Sequence, residues 1–211
     1  MGANDGILST TSLAIGVAAA SITRDPIILA TLAGLVAGAL SMAAGEYVSV
    51  SSQLDVENAD LEREKRELHL EPENELIELT KIYEKRGLSK GLAIQVAAEL
   101  TAQDPLEAHA RDELGINEIT AAKPLQAAFA SAISFVAGGL FPLLISVLAP
   151  INQMIYYQYG FAIFFLALSG TLAAKVGGSV IWKSVLRICI WGTIAMLFSA
   201  MIGYLFGVTI N

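Results

Sequence analysis

Six glutamates crowd the stretch REKRELHLEPENELIEL, residues 63–79, at positions 64, 67, 71, 73, 75 and 78. Glu64 with Glu67 and Glu75 with Glu78 form two ExxE pairs, one on each side of Pro72. On a helix, side chains three apart project from neighbouring positions on one face, so each pair aims two carboxylates the same way. If Pro72 lets two helices fold side by side, all four converge. Bare carboxylates so placed repel, by about 4 kcal/mol for unit charges 4 Å apart at an effective dielectric of about 20. A divalent cation removes that cost, and carboxylate-rich helix bundles hold iron or manganese with such i, i+3 spacing. The same spacing also fits a solvated surface helix whose glutamates pair with Lys65 or Arg66. Spacing alone leaves both readings open.

Glu113, in RDELG, and His109, four residues earlier on the same helical face, are further candidate metal ligands. RDELG also reads as an exposed helix end, and a lone surface histidine, His109 or His69, more often has no such role. Glu71 and Glu73 flank the proline and read as solvated helix ends.

A second set of chemistry-bearing residues lies in apolar surroundings, where an ionisable side chain is expensive and marks a functional site by default. Asp5, Ser9, Ser12 and Gly16 follow i, i+4, i+7, i+11 spacing, while Gly34, Gly38, Met42 and Glu46 fall at successive i+4 steps. The glycines permit close helix approach. A thioether with carboxylates suits a borderline transition metal such as Fe(II) better than Mg or Ca. Asp5 and Glu46 also read as interfacial acids, and Met42 as packing.

The elements that must position these residues follow from composition. The 211-residue chain is 55% hydrophobic and 16% charged, with a mean hydropathy of +0.59, against roughly 25% charge in soluble domains. Apolar stretches at about 3–22, 27–50, 125–148, 157–175 and 185–208 are each long enough to cross a bilayer. The expected fold is an all-α membrane protein. Its domains are transmembrane helices 1–2 (1–50), a cytoplasmic acidic helical metal-binding domain (51–122) and transmembrane helices 3–5 (123–211). With five spans, twelve of the thirteen Lys and Arg residues fall on one side and Arg24 alone on the other. The positive-inside rule therefore puts the acidic segment in the cytoplasm and the C-terminal Asn211 on the far side.

Residues 55–118 hold seventeen of the twenty acids against eight bases, a formal −9, a field that attracts cations and repels nucleic acid. Helical signals run through this segment. One helix is expected near 53–70 and a second near 73–86, ending at Gly87. A third is capped by Ser89 and runs to about Leu100. The fourth opens on Asp104-Pro105 with Glu107 as a capping-box acid and stops at Gly115. Pro142 falls inside the third span. Cys189 is alone, so no intrachain disulfide forms. The N-terminus lacks the basic region of a signal peptide and the myristoylation pattern.

NDGILST in the first span, ALSMAAGEYVSV closing the second, and an acidic helical insert ending in DELG resemble the vacuolar iron transporter family (VIT/CCC). The resemblance covers nearly the whole chain. It implies a homodimer around a central metal path, exporting cytosolic Fe(II), and often Mn(II), in exchange for protons. It also implies that Asp5 and Met42 handle the ion, with Glu46 close by. Glu64, Glu67, Glu75, Glu78 and Glu113 would be the carboxylates of the cytoplasmic metal-binding domain. Two departures stand out. Family members commonly carry a methionine pair where His109 and Ala110 stand here. They also have a further helical turn ahead of the position of Asp5, so the first span is expected to be short or to start upstream.

The function expected from these readings is proton-coupled metal export, by an antiporter rather than an enzyme. No cofactor would be permanently bound, Fe(II) or Mn(II) being the transported ion. The partners are protons and the bilayer, and the location a bacterial inner membrane. Two alternatives remain: a membrane-anchored di-iron ferroxidase, for which the chain lacks an ExxH ligand pair, and a metal-sensing scaffold without transport.

Overall fold

The computed structural model describes residues 2–116 and 122–207. Among these the chain forms eight α-helices and no strand. They are α1 (Gly2–Ala20), α2 (Arg24–Leu70), α3 (Pro72–Lys85), α4 (Lys90–Gln103), α5 (Pro105–Asp112), α6 (Pro124–Leu148), α7 (Met154–Val176, preceded by a 3-10 turn) and α8 (Ile181–Gly207). The expected far-side position of Asn211 lies outside the described residues.

Four of these segments are long and apolar enough to cross a membrane: α2, α6, α7 with its preceding turn, and α8. The fifth expected span, α1, is a 19-residue helix, but Asn4, Asp5 and the run Ser9-Thr10-Thr11-Ser12 keep it out of that class. A second difference concerns α2. The span expected at 27–50 and the helix expected at 53–70 are one uninterrupted helix. No glycine or proline stands between Gly45 and Pro72 to break it, so polarity changes along the helix while its backbone continues.

The chain divides into two compact units, Met1–Glu46 with Leu125–Asn211, and Tyr47–Pro124. In the first unit α1 packs against α8 and α7. Ile7 and Ile15 are buried with Ala162, Leu166 and Met196, and Ala14 with Ile27, Ile145, Ala149 and Met154. Lipid tails supply no hydrophobic drive between helices, so small residues that admit a neighbouring backbone decide the packing. A Cβ on Gly138 would stand 2.0 Å from the Ala3 carbonyl oxygen, and one on Gly203 would stand 1.9 Å from that of Gly16.

One set of polar groups inside this unit is tied together. The Gln158 side-chain amide donates to the Pro142 carbonyl and to Ser146 Oγ, both at 2.9 Å, and Ser146 Oγ meets Thr31 Oγ1 at 3.2 Å. Arg24 donates to the carbonyls of Ser146, Val147 and Ala149. A cation thus caps the carbonyl end of α6.

The second unit is built from the polar part of α2 with α3, α4 and α5. Leu79, Tyr83, Ala93, Ala97 and Ala108 form its core. In α4 Ala93 and Ala97 face inward while Leu92 and Ile94 are exposed. The expected stops hold locally: Gly87 has φ +101° and Gly115 φ +71°. The Gly87 and Leu88 amides donate back to Glu84 and Tyr83, a Schellman closure of α3. Asp104 caps α5 by accepting from the Glu107 amide at 2.9 Å. Ser89 holds the N-cap position of α4 without a side-chain bond, and α4 runs to Gln103, past the expected Leu100.

Candidate metal centre

Three helices of the second unit deliver four side chains to one point. Glu64 comes from α2, Glu75 from α3, His109 from α5, and Glu113 from the C-cap of α5. Each offers one ligand atom, and these atoms all lie within 4.8 Å of one another. Pro72 makes this possible: it opens α3 one residue after α2 ends, so the chain turns and the two ExxE pairs come from different helices. The i, i+4 spacing of His109 and Glu113 then brings both from one face.

His109 Nδ1 lies 2.9 Å from Glu64 Oε1, 2.9 Å from Glu113 Oε2 and 3.8 Å from Glu75 Oε2. His109 is 0% exposed, Glu64 2% and Glu75 8%, whereas Glu113 reaches solvent. With its proton on Nδ1 the imidazole donates to Glu113 and has nothing left for Glu64, whose Oε1 is buried without a hydrogen-bond partner. His109 Nε2 is buried and unpartnered too. Buried polar atoms are rarely left so.

The acidity of the carboxyls records the same crowding. Glu64 is pushed up to about 7, first by burial and then by Glu113, with His109 opposing and Glu75 and Glu67 adding. Glu75 is also raised, by burial first, against the pull of His109 and with Glu78, Glu67 and Glu113 adding. A site that disfavours its own ionised carboxyls is one that a bound cation would relieve.

Of the sequence candidates, Glu64, Glu75, His109 and Glu113 are therefore brought together. Glu67 and Glu78 are exposed and outside the four-residue group, although their charges reach Glu75. His69 is exposed as well. One residue that mattered escaped sequence reasoning. Asp112, within what read as an exposed helix end, accepts hydrogen bonds from Tyr83, Arg86 and Arg111. Burial, the largest influence on it, would raise its carboxyl, but bonds from Arg111, Tyr83 and Arg86 hold it at about 2.

In the first unit, Met42 is half-buried, and Asp5 and Glu46 are exposed. Met42 lines a cavity of about 230 Å³ together with Ser9, Thr10, Gly34, Gly38 and Ser41. The two glycines admit side chains here: added Cβ atoms would stand 2.3 Å from Leu13 Cδ2 and 2.3 Å from the Phe135 ring. Asp5 lies one helical turn before Ser9, whose hydroxyl donates to the Asp5 backbone carbonyl at 2.6 Å.

This geometry sits in a chain with close relatives. The chain is 41% identical over 206 residues to "Vacuolar iron transporter" of Acanthamoeba castellanii, covering 97% of this chain and 76% of that protein. It is 32% identical over 207 residues to "Vacuolar iron transporter homolog 2" of Oryza sativa subsp. japonica, covering 98% and 87%. With "VIT-like transporter 1b" of Glycine max it shares 32% over 197 residues, covering 93% and 69%. The family model of the VIT family matches residues 1–204, and the chain belongs to that family.

Proposed function

We propose that this protein is a transporter that exports Fe(II), and also Mn(II), from the cytosol in exchange for protons. The observation that carries the reading is the Glu64–Glu75–His109–Glu113 group, buried but for Glu113, in a chain of the VIT family. One nitrogen and three carboxylates form a borderline-to-hard donor set, suited to Fe(II) and Mn(II). The group also falls short of the ligand set that four-helix di-iron centres use, which disfavours the ferroxidase reading.

In this proposal α1 serves as a fifth span, with Asp5 and its hydroxyl stripe facing the ion path of a homodimer. The acidic unit is cytoplasmic, as the Lys and Arg distribution supports, and it collects metal. Exposed Glu67 and Glu78 add negative charge around the buried ligands and draw cations in. Asp5, Met42 and Glu46 handle the ion in the membrane. A carboxylate binds either a metal ion or a proton, so the same groups serve metal on the outward step and protons on the return. The named relatives are eukaryotic, and two are named for the vacuole. They give no support to the bacterial inner membrane expected from the sequence, and that assignment is dropped.

Proteoliposomes loaded with a metal-sensitive dye and a pH dye test the reading. Fe(II) and Mn(II) uptake should be accompanied by counterflow of protons, and Zn(II) and Mg(II) provide the comparison. Asp5→Ala should abolish transport while leaving metal binding by the acidic unit intact. Undiminished transport by that variant would remove Asp5 from the ion path.

A further inference from the structure

His109 lies in, and Glu113 caps the end of, the shortest α-helix of the described residues, the eight residues of α5. A helix of that length is not stable by itself in water, yet it must present two ligands to within ångströms of Glu64 and Glu75. Its start is fixed by the Asp104 cap and its middle by Ala108 in the core. Its end is fixed by Asp112. The Asp112 side chain is 9% exposed and accepts from Tyr83 Oη at 2.6 Å, from Arg111 Nη2 at 2.9 Å and from Arg86 Nη1. Arg86 also donates through Nη2 to the Asp112 backbone carbonyl at 2.9 Å.

Tyr83 and Arg86 are the last turn and the C-cap of α3, the helix that carries Glu75. On α5, Asp112 and Glu113 are consecutive and so project about 100° apart. One face is held against α3 while the adjacent face meets the metal group. We propose that Asp112 is a positioning residue for the metal centre, clamping the end of α5 to the end of α3 and so setting where His109 and Glu113 meet Glu75. Arg86 and Arg111 balance its charge, so the effect is geometric rather than a further contribution to the negative field. The proposal rests on Glu64, Glu75, His109 and Glu113 being metal ligands.

Co(II) titration of the full-length chain in detergent tests it, because Co(II) visible absorption reports coordination geometry as well as occupancy. Asp112→Ala should weaken Co(II) binding roughly tenfold, as loss of outer-shell support does in metal sites, and should alter the absorption spectrum at saturation. Tyr83→Phe, which removes a single hydroxyl, should move both readouts in the same direction by less, and decides alone if Asp112→Ala fails to fold. Wild-type affinity and spectrum in the folded variants would overturn the proposal. So would weakened binding with an unchanged spectrum at saturation, which would make Asp112 a general stabiliser. Failure of the ligand reading is distinguishable: Co(II) would then not bind the wild-type chain, or would bind a Glu64→Gln/Glu75→Gln double variant with the wild-type affinity and spectrum, and the clamp proposal would fall with it.

Discussion

Three carboxylates around one imidazole nitrogen leave a charge balance that a single proton cannot close. Glu64 answers by holding its carboxyl at about 7. The sign of the consequence follows from linkage. A carboxyl raised in the folded state favours folding below the ordinary carboxylate range, and that contribution is lost as pH climbs through about 7. Metal needs the ionised form, so protons compete with it below that point. Metal affinity should therefore fall roughly tenfold between pH 8 and pH 6 for this one group, with proton release on binding. Calorimetry of Mn(II) binding in buffers of different ionisation enthalpy measures both. A flat affinity across that range would contradict a Glu64 carboxyl raised to about 7 among the ligands. The residue types here were legible from spacing, but depth was not. ExxE puts both glutamates of a pair on one face, and only packing decided that Glu64 and Glu75 go inward while Glu67 and Glu78 stay in water.

At the scale of elements, proline and glycine carried most of the legible information. Pro72, Gly87, Pro105 and Gly115 stop or start helices where their backbone restrictions require it. The junction that sequence reading divided, between 50 and 53, has no such residue, and α2 runs through it. A change in polarity is a change of solvent, not a break in backbone hydrogen bonding. The Asp104 cap of α5 has its own measurable effect. Asp104→Ala should cost about 1 kcal/mol locally, read as roughly fivefold faster hydrogen exchange of α5 amides. Unchanged exchange would mean that α5 is held by its tertiary contacts alone.

For the whole molecule, the first unit depends on backbones that approach where no side chain fits. Gly203→Ala would press a methyl group into the Gly16 carbonyl, and backbone atoms cannot yield as a flexible side chain can. The expected loss is about 1–3 kcal/mol, seen as a lower thermal midpoint in detergent. Gly160 is the control: nothing lies within 4 Å of an added Cβ there, so Gly160→Ala should hold or raise the midpoint, by up to about 1 kcal/mol of helix propensity. Equal behaviour of the two variants would refute the close-packed α1–α8 seam. The sequence by itself determined the helical class, the long apolar segments, the acidic segment and the residue types at the candidate site, because these follow from composition, periodicity and backbone chemistry within a few residues. Only the tertiary structure decided which carboxylates share a point, that Asp112 faces Tyr83 and Arg86 rather than solvent, and which glycines meet a backbone. Each of these depends on pairs of residues distant along the chain, and no local pattern encodes how deeply a helix face is covered.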